Sequence, residues 1–155
     1  MSFKDFLENF SEIKTQKGNI PVWWVYTAGL AGEIFYEGLK EGKIKGGVCK
    51  GCKSIIIPPR IYCEDCFEKI EKFIDVEGPF LVLSFTEIYF DLDGKPLERP
   101  YKVGFMVMPN SKGGIIHFLD PEVEICCGDY VKPIFSEKRV GSIKDIKYFT
   151  KYKDK

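Results

Sequence analysis

The stretch CKGCKSIIIPPRIYCEDC, residues 49–66, decides the fold of the middle of this chain. Its cysteines, Cys49, Cys52, Cys63 and Cys66, follow the spacing C-x2-C-x10-C-x2-C. Each C-x-x-C pair can form a tight turn that directs two sulfurs to one point, and two such turns make a closed tetrahedral site. The pattern therefore predicts one structural Zn2+ site. Iron is the alternative, because the same four-sulfur geometry also holds Fe.

A closed four-sulfur site has no open coordination position, so we expect the metal to hold structure rather than to react. With iron in its place, the chain would instead be a rubredoxin-like electron carrier. The activity of the protein must then be sought outside the cysteine stretch.

The composition limits the class of protein. Lys plus Arg and Asp plus Glu both total 23 in 155 residues, so the formal net charge is zero. A dedicated DNA-binding domain usually carries a basic surplus. Six cysteines, four of them with metal spacing, are typical of a reducing compartment, and no apolar run has the length of a membrane span. We expect a soluble, cytoplasmic protein.

Hydrophobic periodicity predicts helices first and strands afterwards. Residues 1–45 form an N-terminal helical segment, with one helix that carries Phe3, Phe6, Leu7, Phe10 and Ile13 on one face and another over 28–41. Residues 46–73 form a zinc ribbon that closes with a short helix over 67–73. Residues 74–150 contain five strands, and 151–155 form a frayed basic tail.

The five strands are predicted over 80–90, 101–108, 115–119, 130–135 and 143–149, with a short helix or loop over 120–127. This number and spacing favour a Greek-key barrel of the OB type, with an SH3-like barrel as the alternative. The fold class is therefore mainly β with N-terminal helices: a rubredoxin-like zinc ribbon followed by a five-stranded OB-fold barrel.

Two motifs together resemble one known family. The first joins Pro58, Pro59 and Arg60 to the four cysteines, and the second is R-x-G-x-I-x-D-I-x-Y-F near the C-terminus. The second motif comprises Arg139, Gly141, Ile143, Asp145, Ile146, Tyr148 and Phe149. The chain is similar over nearly its whole length to the family called domain of unknown function thirty-five. It departs from many members at Lys53, where they have glycine.

The resemblance implies a function that the residues alone do not. Members are associated with acyl-CoA metabolism and are thought not to be catalysts themselves. They resemble partners of thiolase-fold enzymes, such as acetoacetyl-CoA thiolase and hydroxymethylglutaryl-CoA synthase. We therefore expect a scaffold that is not itself an enzyme, docks on such a partner and helps to hold or channel acyl-CoA. A nucleic-acid-binding module is the alternative, because zinc ribbons and OB-folds also serve that role.

Five residues are candidate contacts for CoA or for a partner protein: Trp23, Trp24, Tyr26, Arg60 and Arg99. Large aromatic side chains serve interfaces or stack on an adenine ring, and a guanidinium suits a phosphate. Packing at the helix–barrel junction is the alternative for the aromatic residues, and an ion pair is the alternative for each arginine.

No catalytic constellation is visible in the sequence. His117, the one histidine, lies in an apolar run and is predicted to be a barrel residue rather than a general base. Cys126 and Cys127 are predicted to be buried small residues at the end of a loop.

Overall fold

The computed structural model describes residues 25–91 and 93–152. The predicted N-terminal helix with Phe3, together with Trp23 and Trp24, lies outside these residues, as do the last three residues of the predicted tail. The described elements are α1 (Gly29–Glu41), β1 (Ile44–Val48), β2 (Ile55–Ile57), β3 (Lys72–Val76), β4 (Phe80–Phe90), β5 (Pro96–Val107), β6 (Ser111–Gly113), β7 (Ile115–Phe118), β8 (Tyr130–Phe135), a 3-10 turn (Ile143–Asp145) and β9 (Ile146–Lys151).

Helix α1 confirms the helix predicted over 28–41. Its apolar stripe, which includes Phe35 and Leu39, is buried. The helix ends because Gly42 adopts a left-handed conformation with φ 78°. In this conformation the Gly42 N–H donates to the Leu39 carbonyl at 2.9 Å, and Lys43 N–H donates to Gly38 at 2.8 Å. These bonds satisfy carbonyls that the helix leaves free.

The ribbon is part of a four-stranded sheet with the order β3-β1-β2-β6. Strand β1 pairs antiparallel with both β2 and β3, whereas β6 comes from later in the chain and pairs parallel with β2. The parallel pairing places Gly113 opposite Ile57. A Cβ at Gly113 would collide with the Ile57 carbonyl oxygen, so this junction requires a glycine.

The second sheet has the strand order β7-β5-β4-β8-β9. A parallel bridge between Leu119 and Phe149 joins its two ends, so the sheet closes into a barrel. This five-stranded Greek-key arrangement confirms the predicted OB-type barrel.

One core joins the helix, the ribbon and the barrel. Phe80 and Phe149 meet edge to face inside the barrel, with their ring centroids 5.6 Å apart. Leu39 from α1 and Ile57 from β2 belong to the same buried cluster. The elements that flank the barrel are therefore held by apolar packing as well as by strand pairing.

Some predicted elements differ from the structure, including the second barrel strand, which begins at Pro96 rather than at residue 101. The helix predicted over 67–73 is absent from the described residues, because Tyr62 bridges to Lys69 and Ile70 N–H donates to the Ile61 carbonyl at 2.7 Å before β3 begins. The last strand begins at Ile146 rather than at residue 143. Ser142 caps a 3-10 turn there through the Lys144 N–H. Residues 120–127, predicted as a helix or a loop, form a loop.

Candidate metal centre and ligand groove

The first cysteine turn begins where β1 ends. Cys49 N–H donates to the Ser54 carbonyl, and Lys53 N–H donates to the Cys49 carbonyl, both at 3.0 Å. Lys53 has a φ of 62°. Many members of the similar family have glycine at this position, and glycine adopts this left-handed conformation with less strain than lysine.

The second turn repeats the first. Cys63 N–H donates to the Glu68 carbonyl at 2.9 Å, and Phe67 N–H donates to the Cys63 carbonyl at 3.1 Å. Phe67 has a φ of 57°. In both turns, backbone N–H groups and carbonyls fix the loop so that its two sulfurs face one point.

The four cysteine sulfurs lie within 4.8 Å of one another. Cys49 Sγ is 3.3 Å from Cys66 Sγ, and Cys52 Sγ is 3.6 Å from Cys63 Sγ. Zinc bonded to four sulfurs at about 2.3 Å would separate them by about 3.8 Å, so the group fits a tetrahedral zinc ion. The structure brings the four predicted ligands together, and the site is a structural zinc site.

Polar groups around the sulfurs favour the ionised form of Cys52. Hydrogen bonding to the Ser54 hydroxyl and backbone lowers the pKa of the Cys52 thiol to about 6. Lys112 places its Nζ 3.9 Å from the Cys52 sulfur and also pairs with Asp65. Zinc requires thiolates, so a neighbouring ammonium group reduces the repulsion between negative sulfurs.

Cys66 differs from Cys52. The Glu68 N–H favours its thiolate, but the neighbouring Cys49 and burial outweigh that bond and raise the pKa of Cys66 to about 11. Their surroundings thus shift the pKa values of these two exposed thiols in opposite directions. A metal cation removes this difference, because it stabilises every thiolate that it binds.

The described residues among those proposed for ligand contact, Tyr26, Arg60 and Arg99, do not form one cluster. Tyr26 is exposed and, together with Pro58 and Pro59, lines a cavity of about 400 Å³. Arg60 follows these prolines and pairs with Glu64 inside the ribbon. Arg99 is in β5 of the barrel and bonds Glu122 at 3.0 Å. Each arginine thus has the acidic partner that the ion-pair alternative required.

Sequence reasoning missed a second concave site, a groove of about 430 Å³ on the barrel. Its apolar wall includes Tyr101, Phe118 and Tyr148, and Lys147 lies at its edge. The rings of Tyr101 and Phe118 are 5.5 Å apart. These residues come from β5, β7 and β9, so only the barrel brings them together. We call this site the aromatic groove.

His117 lies on the inner side of β7, half-buried, as predicted for a barrel residue. Its Nε2 is 3.2 Å from the Ile143 carbonyl oxygen, which fits a donated hydrogen bond. Burial lowers the pKa of the imidazole, although hydrogen bonds to the Ile143 and Phe118 backbones oppose the shift. The neutral ring is therefore favoured inside the barrel.

The prediction for the remaining cysteines is wrong, because Cys126 and Cys127 are both exposed. Their loop is held instead by Asp129, whose carboxylate accepts from the Cys126 N–H at 2.9 Å and pairs with Lys151 at 3.0 Å. No helix within residues 25–91 and 93–152 is long and apolar enough to cross a bilayer. The cytoplasmic location stays a prediction.

Comparison with known proteins gives matches to a family and to solved structures. Residues 37–71 match the family described as ChsH2, rubredoxin-like zinc ribbon domain. The Ltp2-ChsH2(DUF35) aldolase matches with a TM-score of 0.56 at 19% identity, over 76% of this chain and 91% of that one. This match is evidence of a shared fold. No curated protein matches the chain.

The aldolase comparison corrects one expectation. We expected the chain not to be an enzyme, and that is wrong, because a protein of the same fold is part of an aldolase.

A crystal structure from Sulfolobus solfataricus, of a protein with unknown function from the DUF35 family, is more similar in sequence. The identity is 36% and the TM-score 0.62, over 68% of this chain and 78% of that one. An identity of this size over most of both chains, together with the zinc ribbon and the OB-type barrel, shows that the chain belongs to the DUF35 family.

Proposed function

We propose that the chain is a subunit of an acyl-CoA-processing enzyme complex. In this proposal it docks on a thiolase-fold enzyme, such as acetoacetyl-CoA thiolase or hydroxymethylglutaryl-CoA synthase, and helps to hold the CoA substrate. Membership of the DUF35 family supports the proposal, and so does the assembly of a ChsH2(DUF35) protein with Ltp2 in an aldolase.

The aromatic groove is the observation that carries the ligand part of the proposal. Tyr101 and Phe118 offer ring faces on which an adenine can stack, and Tyr148 extends the apolar wall. A concave apolar site with a few polar groups at its edge is the usual form of a small-molecule site. Stacking on an aromatic ring is tolerant of base identity and contributes about 1–3 kcal/mol per base.

Charges beside the aromatic groove suit the phosphates of CoA. Lys147 is exposed at the edge, with its ammonium 5.5 Å from the centroid of the Tyr148 ring. Arg99 lies one residue before Pro100 of the groove and bonds Glu122, which also lines it. A phosphate would compete with Glu122 for this guanidinium, because Arg binds both anions with the same planar donors.

A second candidate contact lies beside the zinc ribbon. Tyr26 and Arg60 remain proposed contacts there for CoA or for the partner enzyme. Trp23 and Trp24 also remain proposed contacts, although they lie outside the described residues. The structural zinc fixes the ribbon on which Arg60 lies. The metal therefore acts on binding only through the shape of that surface.

The nucleic-acid alternative is not supported. The chain has no basic surplus, and the aromatic groove is lined by Asp120 and Glu122 as well as by lysines. A groove that follows a phosphate backbone requires a more uniform positive charge.

Calorimetry with CoA and acetyl-CoA tests the proposal, on the purified chain and on the chain co-expressed with the thiolase-fold enzyme of its own organism. We expect co-purification with the enzyme and binding of CoA. Tyr101→Ala should weaken the CoA affinity about tenfold through lost stacking. Tyr62→Ala is the matched control, since Tyr62 is as exposed as Tyr101 (58% against 52%) but lies in the ribbon. Absence of both CoA binding and enzyme association would overturn the proposal.

A further inference from the structure

Part of the outer surface of the barrel sheet is uncharged, over neighbouring positions of four strands. Strand registers place Ser84 with Phe105 and Ile116, Thr86 with Val103 and Phe118, Ile88 with Tyr101, and Leu81 with Val107 and Tyr130. Directly paired residues point to the same side of a sheet. These eleven side chains, which we call the outer face, include no Asp, Glu, Lys or Arg.

Strand β5 carries apolar residues on its outer side as well as on its core side. Val103, Phe105 and Val107 point outward, whereas Gly104 and Met106 are buried in the barrel. A strand with one side in water normally carries its polar residues on that side. Strand β5 departs from this rule because it is apolar on both sides over this stretch, which indicates that its outer side is covered when the protein is in its working state.

The outer face is large and exposed. Ile116 is 70% exposed, and Ile88, Tyr101, Phe118 and Tyr130 are also exposed. A shallow cavity of about 230 Å³ lies between β4, β5 and β7 in the middle of the face. The eleven side chains present on the order of 800 Å², which is the area that each partner contributes to an interface of standard size. Monomeric proteins rarely expose so large a continuous apolar patch.

Charge distinguishes the possible occupants of the outer face. A nucleic acid would require cations, and the face has none. Interfaces between non-obligate partners are about as polar as the rest of the surface, whereas homodimer interfaces are more apolar. Charges lie only at the borders of the face. Lys132 follows Tyr130 by two positions on the same side of β8, and Asp120, Glu122 and Lys147 line the aromatic groove beside Tyr101 and Phe118. Glu87 and Lys102 share the opposite side of the sheet, 3.9 Å apart.

We propose that the outer face packs against the same face of a second copy of this chain. A two-fold axis places the face against itself, so any unpaired charge would meet a like charge, and a face without charges avoids this repulsion. Two sheets can pack face to face at about 10 Å with their side chains interdigitated. Tyr101 and Phe118 belong to both the outer face and the aromatic groove, so dimer formation and CoA binding would compete for these two rings.

Sedimentation velocity on the purified zinc-loaded chain, up to about 100 µM, tests the proposal. We expect a particle of twice the mass of one chain. Ile116→Lys should raise the dimer dissociation constant about 100-fold or more, because each dimer would bury two unpaired ammonium groups. Val140→Lys is the matched control, since Val140 is 67% exposed but lies in the loop before the 3-10 turn.

Circular dichroism and zinc content verify that both variants are folded. In a second measurement, the melting temperature should rise with protein concentration for the native chain and for Val140→Lys, and stay constant for Ile116→Lys. A native chain that is monomeric at about 100 µM would overturn the proposal, as would equal dissociation in the two variants. Neither experiment contains CoA or an enzyme, so the result is independent of the proposed function.

Discussion

Lys53 and Phe67 occupy the same position in the two cysteine turns, because each directly follows the second cysteine of its pair. Both have a left-handed backbone, with φ values of 62° and 57°. A side chain in this conformation costs about 1 kcal/mol or more relative to its usual conformations. The zinc site is thus built on two strained residues, and the bonds of the metal offset the strain.

Replacement of Lys53 by glycine should stabilise the protein slightly. Glycine removes the left-handed strain but has more freedom in the unfolded chain, which leaves a gain of about 0.5 kcal/mol in the free energy of unfolding. Urea unfolding of the zinc-loaded protein measures the change. The control is Lys50→Gly, in the same turn but not at a positive-φ position, which should lose roughly 0.5–1 kcal/mol. A loss of stability in Lys53→Gly would contradict the strain argument.

The zinc site gives a prediction with a control from the same chain. Cys49→Ser should lose the zinc and the order of the ribbon, because a site with one thiolate missing no longer completes its tetrahedron. Cys126→Ser should keep about one zinc per chain, since Cys126 is exposed and outside the four-sulfur group. Metal analysis after gel filtration measures both, and similar zinc loss in the two variants would refute the ligand assignment.

The elements that the sequence predicts well are those encoded by neighbouring residues. Both cysteine turns, helix α1 with its Gly42 end, and the strands beginning at Phe80 and Tyr130 follow from spacing and periodicity. The helix predicted after Cys66 failed because Phe67 takes a left-handed conformation, which a periodic apolar pattern does not reveal.

The aromatic groove and the outer face could not be predicted in the same way. The groove joins Tyr101, Phe118 and Tyr148, which are separated by up to forty-seven positions in the chain. Its existence depends on how the barrel closes at Leu119 and Phe149. The alternation of residues along β5 shows that the two sides of the strand differ. Its register with the neighbouring strands decides which side faces the core and which faces water.

Packing of α1 on the barrel gives a prediction with a built-in control. Leu39 is 0% exposed and lies in the common core, whereas Leu30 of the same helix is 54% exposed. Leu39→Ala should lower the free energy of unfolding by about 2–5 kcal/mol through lost burial and a new cavity. Leu30→Ala should change it by less than about 0.5 kcal/mol. Equal losses in chemical denaturation would mean that α1 does not share the barrel core.

Asp145, just before the last strand, makes the stability of the fold depend on pH. Its buried carboxylate accepts hydrogen bonds from the N–H groups of Val140, Gly141 and Ser142, the shortest being 2.7 Å from Gly141. Burial alone would raise the pKa of this carboxyl, but these backbone bonds outweigh burial and hold the pKa below its usual range. The folded state therefore favours the ionised form.

A carboxyl with a lowered folded pKa stabilises the protein above its unfolded pKa of about 3.9, and that stability is lost as the pH falls through the folded pKa. Asp145→Asn should therefore be less stable than the native chain at pH 7, and the difference should shrink as the pH is lowered below about 4. Urea unfolding at a series of pH values measures this. Asp93→Asn, an exposed turn residue, is the control and should follow the native curve. A constant difference between Asp145→Asn and the native chain at all pH values would show that the carboxylate charge is not what holds the 140–145 turn.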